Sequence, residues 1–363
     1  MIVATLATWF VADAATFPTI LLVAFGTGVA GGCAAVALPY VTRWYPKEQH
    51  GTALGILGAG NLGSAITKLG APWVMLAYGW QSVARLWALL LLAIATIFWL
   101  GSIEDPQQTA RHESGQPPLP FTSLIVPLRR LRVWRFGLYY FFAFGGYVAL
   151  SVWLPFYLIN VYHLDITTAA ALAIAFSLPA SLLRVLGGVL SDRHGARRVM
   201  YWSFFGTLAC TFLLSYPPTD YTVHGTHGDI RFTVAMPLPV FTALLVALGL
   251  FMAFGKAAVY KHIPTYFPDR VGVVGGVVGA IGGMGGFVLP LAFGIMNDIA
   301  GVWTSCFMLL LGLGSVSLLW MHFAIRRQER QLTIPQPPQL RFLPELEPET
   351  SKAGRAADQV RAC

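Results

Sequence analysis

YPKEQHGTALGILGAGNLGSAITKLGAP, residues 45–72, and FPDRVGVVGGVVGAIGGMGGFVLP, residues 267–290, follow one pattern. Each is an aromatic-Pro turn, a charged loop, a glycine-rich apolar run and a closing proline. A helix-interior glycine costs roughly 0.5–1 kcal/mol against alanine in water. In lipid the same glycines let helix backbones approach closely, because no side chain stands between them. Two copies far apart in one chain predict two related membrane halves, the parallel-repeat plan of some transporters.

The rest of the chain supports a membrane reading. Of 363 residues, 56% are hydrophobic and 11% charged, whereas soluble domains carry about 25% charged residues. Apolar runs occupy 1–12, 17–42, 51–77, 83–101, 133–160, 166–190, 197–216, 237–262, 271–296 and 302–324. A helix crossing the hydrocarbon core needs about 20 apolar residues. The expected class is an all-α membrane protein with about ten spans, in contact with the lipid bilayer.

The first run is too short to span and reads as the stump of a longer helix. Four runs separate the polar segment 102–132 from the second glycine-rich copy, but only the stump and 17–42 precede the first. If the halves are equivalent, about two helices and part of a third are missing, so the chain is expected to be truncated at its N-terminus. The expected organisation is 1–101 as the remainder of an N-terminal half, 102–132 as a linker and 133–324 as a six-helix C-terminal half. The Pro-rich remainder, 325–363, is expected to be a disordered tail.

The net charge of +8 does not indicate nucleic acid. Its cations lie in short clusters between apolar runs and in the tail. One alternating set of loops holds Arg43 and Lys47, Arg129 to Arg135, Arg193 to Arg198, Lys261 and Arg270, and Arg326 onward, while the opposite set holds only Arg231. The cation-rich set is cytoplasmic by the positive-inside rule. This predicts a multi-pass protein of the cytoplasmic (inner) membrane with its C-terminus inside. Cys33, Cys210 and Cys306 lie in apolar runs and Cys363 ends the chain, so no disulfide framework is expected. His224-Gly-Thr-His227-Gly-Asp229 is the nearest approach to a metal set and reads as a flexible polar loop. No nucleophile motif or nucleotide loop appears. Neither an enzyme nor a cofactor is expected, and the chain is expected to be a monomer.

At the exit of run 166–190 stands Gly187-Gly-Val-Leu-Ser-Asp192-Arg193-His-Gly195-Ala-Arg197-Arg198. It resembles the signature loop of the major facilitator superfamily. The resemblance implies the major facilitator fold, with about ten of its usual twelve spans present. Physically the motif is a charge latch: Asp192 can sit at a neighbouring helix N-terminus and pair with basic residues, holding one arrangement of the halves.

Four segments carry a narrower resemblance. GAGNLGSAITKLGAP at 58–72, GAIGGMGGFVLP at 279–290, FGGYVALSVWLP at 144–155 and GKAAVYKHIP at 255–264 are similar to the nitrate/nitrite porters of that superfamily. The likeness covers about residues 1–324. It implies a secondary transporter of nitrate or nitrite working by alternating access. Another small-anion porter of the superfamily, or a nonfunctional truncated fragment, is the alternative.

The charges point to an anion independently. Lys68, Arg184 and Lys256 fall inside apolar runs, and no Asp or Glu falls well inside any. Buried charges are costly and mark substrate paths, and unpaired buried cations favour an anionic partner. Helical rise puts Arg184 about 12 Å from the Asp192 end of its run. Its planar fork suits a planar oxyanion. Snorkelling remains an alternative for Arg184, and more so for Lys68 and Lys256.

The candidate substrate residues are therefore Arg184, Lys68, Lys256, Asn61, Tyr147 and Tyr260, with Gly60, Gly63, Gly282, Gly283, Gly285 and Gly286. The candidate latch is Gly187, Asp192, Arg193, Gly195, Arg197 and Arg198. The resemblance implies that Arg184 shares the anion with a second arginine, on a helix the sequence lacks. It also implies that an aromatic at the Tyr260 position lies flat against the anion, and the expected aromatic opposite falls on Ala34.

Overall fold

The computed structural model describes residues 1–103, 126–226 and 228–333. Most of the expected linker, His227 and residues 334–363 of the expected tail lie outside the described residues.

All ten apolar runs are helical. Among the described residues seven helices are long and apolar enough to cross a membrane: Phe17–Trp44, Trp80–Gly101, Leu131–Tyr162, Ile166–His194, Leu238–Tyr266, Pro268–Ala300 and Ser305–Arg330. Three runs fall short of that measure for separate reasons. Ile2–Phe10 is brief. Ala196–Leu214 opens on Arg197 and Arg198, which dilute its apolarity. The run at 51–77 is two helices, His50–Ala59 and Leu62–Tyr78.

The break in that last run lies at Gly60 and Asn61, where N–H groups bond three residues back: Gly60 to Leu57, Asn61 to Gly58 and Gly63 to Gly60. Gly is a poor helix former and Asn competes locally for backbone groups. The Ile166–His194 span is likewise interrupted at Leu183, between Ile166–Leu182 and Arg184–His194. In Leu131–Tyr162 the stretch Phe141–Gly145 is a wider π turn, a feature frequent at functional sites. Broken helices are tolerated at membrane depth where protein covers the freed backbone groups.

Large apolar residues stay exposed along the spans, among them Phe25, Trp73, Trp99 and Phe287. Their place against lipid accounts for an exposure that a water-soluble chain rarely shows on this scale. Residues Met1–Ser315 form one compact unit, and a second begins at Val316. Inside the first, Tyr147, Leu150, Leu154, Phe176, Phe241, Leu245 and Phe307 build a core.

Glycine sets the closest helix contacts. A Cβ on Gly145 would lie 2.7 Å from the Cα of Gly285, and one on Gly285 would lie 2.9 Å from the Cα of Gly145. The Leu131–Tyr162 and Val271–Ala300 helices therefore touch backbone to backbone. Gly285→Val forces them apart, and overpacking of this kind costs about 1–3 kcal/mol. The expected outcome is a lowered melting temperature of the purified protein in detergent. An unchanged melting temperature would mean that the contact is dispensable.

Two expectations need correction. The final helix runs Ser305–Thr333 instead of giving way to irregular chain after 324. The residues beyond 324, Ile-Arg-Arg-Gln-Glu-Arg-Gln-Leu, are good helix formers, and Arg326 and Glu329 pair at 4.0 Å across one turn. The polar loop at 217–236 contains an antiparallel hairpin, Thr219–Gly225 paired with Gly228–Val234. Its alternation of apolar and polar residues is the period-2 pattern of a strand. Among the described residues no group of three or more potential ligands gathers around a metal site, and His224 Nδ1 instead lies 2.6 Å from Asp229 Oδ1.

Candidate functional site

The His50–Ala59 helix carries Gly51, Gly55 and Gly58 at i, i+4 and i+7, which places them on one face. That face lies against Arg184–His194. A Cβ on Gly55 would come within 2.9 Å of the Arg184 carbonyl oxygen, and one on Gly58 would overlap the Arg184 side chain. Gly51 and Gly188 meet through backbone atoms, so a methyl on either would collide with the other's helix.

At the end of this contact Asp192 reaches the start of the His50–Ala59 helix. Its carboxylate accepts from Gly51 N–H at 2.9 Å, from Thr52 N–H at 2.7 Å and from the Thr52 hydroxyl at 2.6 Å. It also pairs with Lys261 of the Leu238–Tyr266 helix. The first turn of His50–Ala59 has no acidic residue and no cap of its own, so Asp192 satisfies its orphan N–H groups and complements its dipole. Three helices are thus tied at one carboxylate. Gly187 packs on the neighbouring span, where a Cβ would lie 2.8 Å from Phe254 Cα. Gly195, at φ +85°, turns the chain into the next helix. Arg193 and Arg198 are exposed and Arg197 half-buried.

Eight residues before Asp192, Arg184 is 2% exposed. Its Nη2 donates to the Tyr140 hydroxyl at 3.4 Å, and its Cζ lies 4.9 Å from the Tyr260 ring centroid. Its Nε has no hydrogen-bond partner among the described residues. Lys256 is fully buried. Its Nζ donates to the Ala180 carbonyl at 2.7 Å and stands 3.5 Å from the centroid of the Tyr147 ring. Lys68, half-buried, donates to the Ser151 carbonyl at 3.0 Å. Arg184 and Lys256 thus have neutral partners only among the described residues. Such an arrangement leaves the desolvation cost of each cation largely uncompensated, which favours an entering anion.

Aromatic rings wall this cluster. Tyr260 and Tyr140 stack at 4.6 Å, and Tyr140 and Phe144 at 5.0 Å. The Tyr147 hydroxyl is 2.9 Å from the Ser181 hydroxyl and 3.4 Å from that of Ser64, just past the glycine break. The Asn61 amide nitrogen is buried without a partner among the described residues, an orphaned donor beside the break. Gly60 lies in the turn itself and Gly63 at the start of the helix that follows. A Cβ on Gly282 would run into the Tyr140 ring and one on Gly286 into Val148. Gly285 meets Gly145, and Gly283 faces open space. Of these four, Gly282 alone packs on a ring that touches Arg184.

Ala34 is exposed. The second ring beside Arg184 comes from Tyr140, which the sequence reading did not single out, and neither did it name Ser64 or Ser181. The signal for Tyr140 was the aromatic run YYFFAFGGY at 139–147. Its periodicity is obscured by the π turn at Phe141–Gly145.

Comparisons with known proteins agree on one family. The family model described as Major Facilitator Superfamily matches residues 1–226 and 162–354. The chain is 41% identical over 338 residues to a "Probable nitrate/nitrite antiporter NarK1" of Thermus thermophilus, covering 89% of this chain and 74% of that protein. It is 30% identical over 312 residues to a "Nitrite extrusion protein" of Bacillus subtilis, covering 85% and 72%. Among solved structures, the major facilitator transporter FucP in the outward conformation matches with a TM-score of 0.62 at 16% identity, over 88% of this chain and 80% of that one.

Proposed function

This chain belongs to the major facilitator superfamily and, within it, to the nitrate/nitrite porters; on that premise we propose that it moves nitrate and nitrite through a site centred on Arg184. It is a multi-pass secondary transporter, and its place is the cytoplasmic membrane. The Asp192 loop and the C-terminus face the cytoplasm, and the hairpin faces outward. The residues at 1–101 and 133–324 act as the two moving halves of a monomer.

The observation that carries the reading is the pair of buried cations, Arg184 and Lys256, with neutral partners only among the described residues. A guanidinium offers a planar fork of donors that a planar oxyanion meets with two hydrogen bonds. Tyr260 and Tyr140 supply flat faces for such an ion, and the Asn61 amide supplies a donor from the glycine break. Lys256 adds charge from below the Tyr147 ring. Closure at the Asp192 carboxylate holds the cytoplasmic ends together. Rocking apart at that latch releases the ion inward, in the manner of a repeat pivoting about a fixed site.

The test uses the full chain in proteoliposomes loaded with nitrite. The expected result is saturable entry of labelled nitrate that external nitrite suppresses and sulfate does not. Sulfate or phosphate uptake in place of nitrate would point to a different anion porter. In the same assay Lys256→Met, which keeps length and removes charge, should weaken nitrate binding about thirtyfold or more, since loss of a buried charge facing an anion costs about 2–5 kcal/mol. Wild-type affinity in that variant would remove Lys256 from the site.

A further inference from the structure

The Thr219–Val234 hairpin has two unlike faces. Tyr221 pairs with Phe232, Val223 with Ile230 and Thr219 with Val234. Opposed residues of a strand pair share a face and alternate residues switch sides. One face is therefore Thr219, Tyr221, Val223, Ile230, Phe232 and Val234, and its five apolar side chains are all exposed, Ile230 at 60%. Asp220, Thr222, His224, Asp229, Arg231 and Thr233 make up the other face. That polar face is joined across the strands by Thr233 Oγ1 to Asp220 at 2.6 Å and His224 to Asp229 at 2.6 Å. Tyr221 and Phe232 stack at 5.5 Å on the apolar side.

A lone two-stranded hairpin is marginal in water unless a surface covers its apolar face. The occupant is indicated by where the hairpin is tied. It begins five residues after Leu214, the end of the Ala196–Leu214 helix, and the chain rejoins the bundle at Leu238, four residues after Val234. Such short tethers hold it at the level where the spans leave the lipid. Phe212, Leu213, Tyr216 and Val240 at those helix ends are exposed, and the Tyr216 hydroxyl contacts that of Tyr221. The apolar face of the hairpin thus continues the lipid-facing surface of the spans it joins.

We propose that this hairpin is a membrane-surface element whose Tyr221–Val223–Ile230–Phe232 face lies in the headgroup–acyl boundary of the adjoining leaflet, with its polar face toward water. Interfacial elements are held by burying apolar side chains at that depth while charged ones stay hydrated. The aromatic pair suits it, because Tyr is favoured at headgroup level. This assignment does not depend on which anion the protein carries.

The test is positional. Val223→Cys, Ile230→Cys, Thr222→Cys and Arg231→Cys are made singly with Cys33 and Cys363 replaced by alanine. Each carries an environment-sensitive fluorophore in vesicles of phosphatidylethanolamine and phosphatidylglycerol. The expected result is loss of fluorescence with brominated lipid at 223 and 230 and none at 222 and 231, with iodide in the water quenching in the opposite pattern. Equal iodide quenching at all four positions would place the hairpin in water and overturn the proposal. Protection of 223 and 230 from both quenchers would also overturn it, because protein would then cover the face. Neighbouring labels in one hairpin control for folding, since a disordered hairpin loses the alternation.

Discussion

Arg184→Lys should abolish most nitrate binding while leaving insertion and folding near normal. The substitution keeps the charge and discards the planar fork, which is not a conservative change at a bidentate site. Arg184 is enclosed by Tyr140, Tyr260 and the Gly58 face of the facing helix. A lysine there has no second donor plane to follow the anion and the Tyr140 hydroxyl together. Loss of one partner in a buried charged hydrogen bond costs roughly 2–5 kcal/mol, or about thirtyfold or more in affinity. Nitrate affinity in proteoliposomes decides the matter, with the melting temperature as a folding check. Snorkelling predicts the reverse, because lysine snorkels as well as arginine. Near-native affinity in the lysine variant would leave Arg184 with a packing role only.

Asp192→Asn should open the protein at the latch end. The amide preserves shape but strands Lys261 and turns an NH2 group toward donors that now face a carboxylate, the N–H groups of Gly51 and Thr52. Both members of the ion pair are largely shielded, with side chains 11% and 14% exposed. Breaking a buried pair by removing one partner costs about 3–5 kcal/mol. At about 1.4 kcal/mol per tenfold, that shifts the closed-to-open ratio by a hundredfold or more. Ala53 sits one residue beyond Thr52 and is 4% exposed. A cysteine placed there should react with a water-soluble maleimide many times faster in the Asp192→Asn background. Lys261→Met should move the rate in the same direction. Unchanged reactivity in both would show that the helices are held by their glycine contacts alone.

The two variants separate binding from closure. Arg184 lies beside the glycine break and Asp192 caps the far end of the same helix pair. An anion drawn to Arg184 acts on elements whose approach Asp192 secures. The glycine face of His50–Ala59 makes both contacts possible, because only hydrogen atoms separate Gly51, Gly55 and Gly58 from the opposing backbone and guanidinium.

The membrane class, the apolar runs and the family were legible in the residue order. Hydrocarbon demands apolar length and internally satisfied backbone, and that demand is written along the chain one residue at a time. The doubled glycine pattern likewise announced close helix contacts. What that pattern lacked was the identity of each partner: Gly58 against Arg184, Gly145 against Gly285 and Gly282 against Tyr140 are meetings between residues far apart in the chain. The break at Gly60 and Asn61 was hidden inside a run that reads as continuous, since apolarity does not register where a backbone hydrogen bond is lost. Tyr140 is the last residue before the π turn at Phe141–Gly145, and no count of hydrophobic spacing records a change of helical pitch. Lys256 could be located in a span from composition, but its burial against the Ala180 carbonyl and the Tyr147 ring depends on how three helices cross. The two faces of the hairpin depend on strand register in the same way: a shift of one residue would exchange the face built on Val223 and Ile230 for the one built on Thr222 and Arg231.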